Sequence, residues 1–289
     1  MDLNYYPGHM TGAIRKMRED IKGIDVVIEI LDARIPFSSK NPDIDELAAG
    51  KKRIVIFSKS DLADKKVTEE WTRYYEDKGI RVLSIDSRNR NETKKLTPLV
   101  REVCKDKIER DRQRGIIAVR PIKAMVCGIP NVGKSTFINS FVGKSTAKTG
   151  NKPGVTRGNQ WIRLSKDINM LDTPGILWPK FEDINVGYKI ACIGSLNDNN
   201  LEITDIAVYL MDYIKDNYCN TLALRYNIEE SDDSMKDIQN IAVSKGLLLK
   251  GGEPDIDRTA KLVIDDLRAG RIGRFSLERP DLKETENGV

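Results

Sequence analysis

Residues 128–135 have the residue types and the spacing of a loop that binds phosphate groups. They read Gly-Ile-Pro-Asn-Val-Gly-Lys-Ser, which matches the pattern GxxxxGK[ST]. In such a loop, glycines let backbone N–H groups surround the phosphate oxygens, and the start of the following helix adds partial positive charge. Lys134 would neutralise the β- and γ-phosphates, and the Ser135 hydroxyl would bind Mg²⁺. Because an apolar strand-like run (123–127) precedes the loop and a helical stretch (134–141) follows it, we predict a nucleotide phosphate site.

Two segments after this loop could respond to the third phosphate of a nucleotide. The sequence Asp-Thr-Pro-Gly at residues 172–175 directly follows an apolar strand-like run. The Asp172 carboxylate could hold Mg²⁺ through a water molecule, and the Gly175 N–H could contact a γ-phosphate. Between the two motifs, residues 151–157 contain Pro and Gly, and Thr156 within them is the candidate switch threonine that senses Mg²⁺ and the γ-phosphate.

Residues 58–61, Ser-Lys-Ser-Asp, are the candidate for recognition of a guanine base. Guanine selection normally uses the pattern [NT]KxD at a strand end, and this segment directly follows the apolar run 53–57. Asp61 would accept hydrogen bonds from both guanine N–H groups, and Lys59 would pack along the base. Alone, the tetrapeptide would be an ordinary polar loop, but a phosphate loop in the same chain favours the base role. Ser58 stands where asparagine is usual, so we expect weaker bracing of this loop.

A second loop, residues 84–87, ends the next predicted strand and could contribute contacts near the base, although it lacks the glycines usually seen just after such a segment. The predicted Mg²⁺ ligands are Ser135, Thr156 and, through water, Asp172. The residues predicted to bind the nucleotide are Ser58, Lys59, Ser60, Asp61, Ser84, Asp86, Ser87, Gly128, Pro130, Asn131, Val132, Gly133, Lys134, Ser135, Thr136 and Gly175.

These loops need a scaffold, and the hydrophobic pattern predicts one. Short, almost continuously apolar β-rich runs alternate with helical stretches, which is typical of a parallel sheet covered on both faces. The predicted strands are residues 25–31, 53–57, 81–85 and 123–128, with a hairpin at 160–164 and 168–171. The predicted helices between them are residues 41–49, 68–78 and 91–114. After residue 178 helical spacing alone is seen, at residues 183–195, 202–215, 235–248 and 257–269.

The sequence therefore predicts an α/β domain over residues 1–178, with an N-terminal arm at 1–23, and a helical domain over 179–289. The chain of 289 residues is 39% hydrophobic, enough for a core, and its apolar runs are too short to span a membrane. No secretion signal is evident at the N-terminus. The four cysteines are widely spaced, which indicates buried thiols in a reducing cytosol, and the single histidine excludes any site that needs two.

The order of the motifs along the chain is unusual. Base recognition comes first, then the phosphate loop, then the two switch segments, which is a circular permutation of the common GTPase order. In this order and in five stretches the sequence resembles the circularly permuted YlqF/YawG GTPases. The stretches are YPGHM (6–10), DVVIEILDARIPFSSKNP (25–42), GIPNVGKSTFIN (128–139), AKTGNKPGVTRGNQW (147–161) and LDTPGILWPKFED (171–183). The resemblance implies a permuted P-loop GTPase domain that uses GTP or GDP with Mg²⁺, followed by a small all-helical C-terminal domain.

Hydrolysis of GTP needs a group that orients the attacking water, and many GTPases use a glutamine after Asp-x-x-Gly. Here Ile176 and Leu177 follow, and neither side chain can orient water. The resemblance implies that His9, in the N-terminal arm, takes this role; the residues alone favour a lone surface or structural histidine. The predicted catalytic set is His9, Lys134, Thr156 and Gly175.

Asn131 lies inside the phosphate loop. The resemblance implies that it could hold a K⁺ ion, whose charge would act where an arginine acts in other GTPases. A role in stabilising the turn of the loop explains an asparagine at this position equally well.

The resemblance further implies a partner: the large ribosomal subunit with its ribosomal RNA and proteins. It implies a cytoplasmic assembly factor that acts late in subunit maturation, is stimulated by the subunit and is monomeric away from it. Charge gives separate support, because residues 1–180 carry a net +12 and residues 181–289 a net −8. Basic residues concentrate at 51–53, 94–95, 101–114, 144–152 and 268–279. The last of these stretches is the candidate RNA contact of the helical domain.

Two other functions compete with this one. A P-loop ATPase would share the phosphate loop, but Asp61 argues against it because adenine lacks the donor pair that this carboxylate would bind. A nucleotide-regulated scaffold that binds RNA or the ribosome with negligible turnover is favoured by Ile176, since no water-orienting side chain follows Gly175.

Overall fold

Six strands form one sheet in the order β3-β2-β1-β4-β6-β5. The computed structural model describes residues 8–114, 120–143, 159–178 and 181–280, with only the backbone for residues 8–11. The strands are β1 (Val26–Asp32), β2 (Lys52–Ser58), β3 (Arg81–Ser84), β4 (Ile122–Cys127), β5 (Gln160–Arg163) and β6 (Ile168–Asp172). All neighbouring strands are parallel except β5 and β6, which form an antiparallel pair. The predicted mostly parallel sheet is confirmed, with small shifts at the strand ends.

The strand order places the functional loops together. All seven residues of β1 are buried, and this strand pairs with β2 on one side and with β4 on the other. From β1 the chain proceeds outward through β2 to β3, whereas the strands after β4 lie on its other side, with β5 at the edge and β6 between β5 and β4, so the order reverses between β1 and β4. In open parallel sheets, ligands bind outside the carboxyl ends of the strands at such a reversal. The phosphate loop follows β4, the candidate base loop follows β2, and the Asp-Thr-Pro-Gly segment begins at the end of β6.

Seven helices are seen in the described residues before β5. They are α1 (Gly8–Asp20), α2 (Asp43–Leu47), α3 (Lys65–Asp77), α4 (Arg90–Thr93), α5 (Leu96–Val103), α6 (Lys105–Gln113) and α7 (Lys134–Val142). The single helix predicted over residues 91–114 is wrong, because this stretch is divided into α4, α5 and α6. Pro98 lies in the first turn of α5, where it cannot donate to residue 94 and would clash with that carbonyl, so a helix cannot continue through this point.

Helices also account for the described chain beyond residue 181. They are α8 (Ile184–Cys192), α9 (Ile203–Asn217), α10 (Thr221–Tyr226), α11 (Ser234–Lys245) and α12 (Ile256–Arg268). The apolar stripe of α12 is buried, including Ala260, Val263 and Leu267. Sequence analysis missed α10, a helix of six residues flanked by Asn220 and Asn227 in the left-handed conformation. None of the helices in the described ranges is long and apolar enough to cross a bilayer.

After α12 the chain runs back over the sheet-containing part. In this return segment, residues 271–280, the Phe275 N–H donates to the Leu62 carbonyl at 3.0 Å and the Leu277 N–H donates to the Arg34 carbonyl at 2.8 Å. Glu278 is buried and its carboxylate accepts from the Ser38 N–H at 2.9 Å. The helical part is therefore joined to the sheet-containing part by backbone hydrogen bonds as well as by the chain itself. The domain boundary at residue 178 stays a prediction.

One expectation about side chains needs correction, and another stays a prediction. Within residues 268–279, Arg268 pairs with Asp198 at 2.6 Å, Arg271 with Asp266 and Arg279 with Glu70. The side chains of Arg271 and Arg279 are 48% and 53% exposed in these pairs, so the RNA contact of this stretch stays a prediction. The cysteines are free thiols, and three are buried as expected, but Cys219 is exposed because it follows the end of α9 at the surface.

Candidate nucleotide site

The phosphate loop has the backbone that its glycines predict. Gly128 has φ of +150°, and a Cβ there would lie 2.4 Å from the Ile30 carbonyl oxygen, so a larger residue would clash with β1. The loop ends at Gly133, and α7 begins at Lys134 with its N-terminal N–H groups directed out of the helix. Ser135 and Thr136 lie in the first turn and are half-buried. This is the arrangement of N–H donors that binds a phosphate chain.

Lys134 is buried, and its ammonium group is held by the loop itself. Nζ donates to the carbonyl oxygens of Gly128 and Ile129, each at 2.9 Å. Burial lowers the pKa of Lys134 to about 8, against the opposing influence of Asp172. An anionic phosphate chain would satisfy this ammonium better than neutral carbonyls do, so the residue fits its predicted role.

Asp172, at the end of β6, fits a role in holding a cation. Its side chain is 2% exposed, and Oδ1 has no hydrogen-bond partner among the described residues. Burial raises the pKa of Asp172 to about 6, while Lys134 acts in the opposite direction. A buried carboxylate oxygen without a partner is costly. Hydrated Mg²⁺ would supply both the charge and the donors that this oxygen lacks.

Gly175 lies directly against the phosphate loop. A Cβ at this position would lie 2.8 Å from the Pro130 Cα and 3.0 Å from the Lys134 Nζ, so this close approach requires glycine. Ile176 and Leu177 point into the core, at 4% and 3% exposure, and the Ile176 carbonyl accepts from the Asn41 amide at 3.1 Å. Neither side chain is placed to orient water.

Two members of the predicted catalytic set lie outside what the structure describes. The backbone of His9 belongs to α1, but its side chain is not described, and Thr156 lies in the undescribed range 144–158. Within α1 and the 3₁₀ turn Ile21–Gly23 that follows it, Met17 and Ile21 are buried. The helix and the turn after it thus dock through these apolar side chains.

The candidate base loop is tied to the phosphate loop. The Ser58 hydroxyl is buried and lies within hydrogen-bond distance of the carbonyls of Leu31, at 3.0 Å, and Val132, so its single proton can be donated to either. Lys59 has φ of +54°, and its Nζ donates to the Asn131 carbonyl at 2.8 Å. The hydroxyl therefore contacts both the neighbouring strand end and the phosphate loop, and the expectation that serine braces this loop less than asparagine stays a prediction.

A buried ion pair that the sequence did not reveal contacts the candidate base loop. Asp32 and Arg34 lie at the end of β1, and their carboxylate and guanidinium are 2.8 Å apart. Asp32 also contacts the Lys59 ammonium at 3.1 Å. Although burial acts to raise it, the two cations hold the pKa of Asp32 well below its usual range. A charged pair directly after an apolar strand was the available signal for this contact.

The two loops predicted to surround the base lie side by side. The Ser60 N–H donates to the Ile85 carbonyl at 3.2 Å, and Asp61 and Asp86 are bridged by Arg88, another residue that sequence analysis missed. The Ser87 hydroxyl is buried and lacks a hydrogen-bond partner in the described chain. A cleft of about 330 Å³ opens here, lined by residues that include Ser60, Asp61, Ser84, Asp86 and Arg274. We call residues 58–61 and 84–88 the base half of the site, and residues 128–136 with Asp172 and Gly175 the phosphate half.

The helical part of the chain contacts the phosphate loop directly. The Asn131 amide Nδ2 donates to the Gly194 carbonyl at 2.6 Å, and the Ser195 hydroxyl donates to the Pro130 carbonyl, also at 2.6 Å. Ser195 is fully buried. Asn131 therefore joins two parts of the fold, and its predicted role as a K⁺ ligand stays a prediction.

The sequence is similar to that of known GTPases over almost its whole length. Residues 123–247 match the model of a family described as 50S ribosome-binding GTPase. The chain is 44% identical over 285 residues to ribosome biogenesis GTPase A of Priestia megaterium, covering 98% of this chain and 99% of the relative. It is 32% identical to the protein of the same name from Thermotoga maritima, with 96% and 95% covered.

A solved structure gives the same result. The crystal structure of GNP-bound YlqF from T. maritima matches with a TM-score of 0.64 and 28% identity, covering 93% of this chain and 99% of that one. The permuted order of the motifs, the P-loop fold with its helical C-terminal part and these full-length similarities agree. The chain belongs to the ribosome biogenesis GTPase A (YlqF) family.

Proposed function

We propose that this protein, a GTPase of ribosome biogenesis, acts in a late step of large-subunit maturation and hydrolyses GTP faster when it is bound to the subunit. One observation carries the proposal: the phosphate loop is hydrogen-bonded to the helical part through Asn131–Gly194 and Ser195–Pro130, each at 2.6 Å. A nucleotide bound to this loop can therefore influence the surface that the helical part presents. The match to the 50S ribosome-binding family supports the large subunit as the partner.

The phosphate half would bind the nucleotide through its charge and its backbone donors. Lys134 would exchange its two carbonyl partners for phosphate oxygens, and the Gly175 N–H would contact the γ-phosphate. Ser135, Thr156 and, through water, Asp172 would hold Mg²⁺, which neutralises charge on the phosphates when bound. The orphaned Oδ1 of Asp172 supports this assignment.

The base half would select guanine. Asp61 offers a carboxylate for the two adjacent N–H donors of that base, and adenine lacks this pair. Lys59 is held against the phosphate loop at the Asn131 carbonyl, so its stem can lie along the base while its ammonium joins the two loops. The buried Ser87 hydroxyl faces the same region, where a Cβ on Gly133 would lie 3.8 Å from it.

Activation of water would fall to the N-terminal arm. Ile176 and Leu177 are buried, so no side chain directly after Gly175 serves, and we assign the role to His9. A K⁺ ion at Asn131 would add positive charge beside the phosphates. Since His9 belongs to an arm rather than to the loops of the site, slow intrinsic hydrolysis and acceleration by the subunit would follow.

Hydrolysis would then release the factor. Loss of the γ-phosphate contact at Gly175 would alter the segment that Asn41 holds at the Ile176 carbonyl, and this segment leads directly into the helical part. GTP would favour binding to the subunit, and GDP would favour release.

Turnover measured with and without purified large subunits tests the proposal, with Lys134→Ala as the control that should abolish stimulation. We expect the subunit to accelerate hydrolysis of GTP but not of ATP. Equal and negligible turnover in both conditions would instead favour the second candidate, a nucleotide-regulated scaffold, which the burial of Ile176 supports.

A further inference from the structure

The Arg88 guanidinium is hydrogen-bonded to the Asp61 carboxylate, which is the group of the base half that would recognise guanine. Its Nη2 donates to Asp61 Oδ2 at 2.6 Å, while Nε donates to Asp86 Oδ1 at 2.9 Å. The backbone of the same residue is fixed, because its N–H donates to Asp86 Oδ1 at 2.9 Å and its carbonyl accepts from the Ser140 hydroxyl of α7 at 3.3 Å. The backbone of Arg88 is therefore held in place while its guanidinium contacts the Asp61 carboxylate.

A guanidinium and the edge of guanine offer a carboxylate the same chemistry. Each is planar and presents neighbouring N–H donors, and carboxylates bind such donor pairs in a shared plane. Arg88 donates to Asp61 through Nη2 alone, and a guanine base bound to both carboxylate oxygens would share Oδ2 with it, so the two sets of donors compete for this oxygen.

We propose that Arg88 competes with the guanine base for Asp61, so that binding of a nucleotide displaces its guanidinium and its return speeds the release of GDP. This inference rests on the proposed function, because it assumes that Asp61 binds guanine. Displacement is easy, since Arg88 keeps its contacts to Asp86 at 2.9 and 3.1 Å when the contact to Asp61 is lost.

The exposure of the pair sets the size of the effect. The Arg88 side chain is 68% exposed and that of Asp61 is 26% exposed, so water and salt screen their attraction. Exposed ion pairs contribute roughly 0–1 kcal/mol, which corresponds to a change in affinity of up to about fivefold. The competition therefore adjusts affinity and exchange without closing the site.

The test is Arg88→Ala, with GDP affinity and the rate of GDP dissociation as the measurements. We expect the variant to bind GDP about two- to fivefold more tightly and to release it correspondingly more slowly. The difference from the unmodified protein should shrink as salt is raised, because the pair is exposed. Arg81→Ala is the matched control: it removes the same charge and an exposed pair, Arg81–Glu102, at the other end of β3, and it should change neither quantity.

Weaker GDP binding by Arg88→Ala, or unchanged affinity and dissociation, would overturn the competition. Asp61→Asn measured in parallel separates this inference from the proposed base site. If Asp61→Asn changes the preference between guanine and xanthine nucleotides while Arg88→Ala changes nothing, only the competition is wrong. If Asp61→Asn leaves that preference unchanged, both the base site and the competition are wrong.

Discussion

One aspartate from each half of the nucleotide site, Asp172 and Asp61, can be compared, and the two have opposite surroundings. Asp172, in the phosphate half, is 2% exposed and has an oxygen without a partner among the described residues. Asp61, in the base half, is 26% exposed and is paired with an arginine that is mostly in water. Buried charge is expensive and responds strongly to change, whereas exposed charge responds weakly. In the proposed function, the phosphate half would therefore supply most of the affinity for the nucleotide, and the base half would discriminate between bases.

Ile176 and Leu177, directly after Gly175, cannot orient water, so the largest effect should come from the N-terminal arm. His9→Ala should lower kcat in the presence of large subunits on the order of 10²-fold, because a positioned acid or base acts on the transition state. Affinities for GTP and GDP should stay nearly unchanged, and basal turnover should fall less. Single-turnover hydrolysis on subunits is the measurement. A variant that hydrolyses GTP at the unmodified rate would leave water activation to the subunit.

In the phosphate half, Lys134→Ala tests the affinity side of the comparison. The change removes a buried ammonium that phosphates would contact, so we expect a loss of roughly 1.5–3 kcal/mol in the free energy of nucleotide binding. Equilibrium titration with GTP and GDP measures it. Binding as tight as that of the unmodified protein would contradict the assignment of the phosphate loop.

Asp172→Asn tests whether the buried carboxylate lowers the free energy of unfolding of the nucleotide-free protein. Burial raises the pKa of Asp172 from 3.8 to about 6, so the folded state favours its protonated form and loses stability as pH rises from about 4 to 6. The amide has no such loss. Without nucleotide, the variant should be more stable than the unmodified protein by on the order of 1–3 kcal/mol at pH 7.5, and the gap should shrink to about a third of this near pH 4.5.

Urea unfolding at the two pH values measures this gap, and Mg²⁺-dependent nucleotide binding should weaken in the same variant. Asp167→Asn is a suitable control, since that aspartate forms an ion pair with the half-exposed Arg101. An Asp172→Asn variant with the pH profile of the unmodified protein would show that the carboxylate is not strained.

The smallest effect belongs to the base half. Asp61→Asn should lower GTP affinity and favour xanthosine nucleotides by about tenfold in relative terms, because an amide can donate to the 2-oxo group that replaces the guanine amine. The affinities of the two nucleotides, measured side by side, decide this. An unchanged preference for GTP would make residues 58–61 an ordinary loop.

The location of the site could be predicted from the sequence because each motif is local to a strand end. The loops at Gly128, Ser58 and Asp172 directly follow apolar runs, and parallel strands bring their carboxyl ends to one edge. The sequence also identifies the hairpin and the apolar stripe of α12. A local pattern was sufficient in each of these cases.

The remaining contacts depend on residues far apart in the chain. Ser195 reaches Pro130, and the return segment reaches Arg34 and Leu62, through tertiary packing that no local pattern records. In the sequence Arg88 cannot be distinguished from the many other basic residues, and only the fold places its guanidinium at Asp61. The contacts of Ser58 could not be predicted either, because they depend on the carbonyls of Leu31 and Val132, which only the fold brings within reach of its hydroxyl.

In the proposed mechanism, the nucleotide on the phosphate loop controls attachment to the large ribosomal subunit through the contacts of Pro130 and Asn131 with the helical part. Sedimentation with purified large subunits under GTP, GDP and a non-hydrolysable GTP analogue measures this control. We expect the protein to sediment with subunits under the analogue, less under GTP as hydrolysis proceeds, and least under GDP. Equal sedimentation under all three nucleotides would mean that the bound nucleotide does not control attachment.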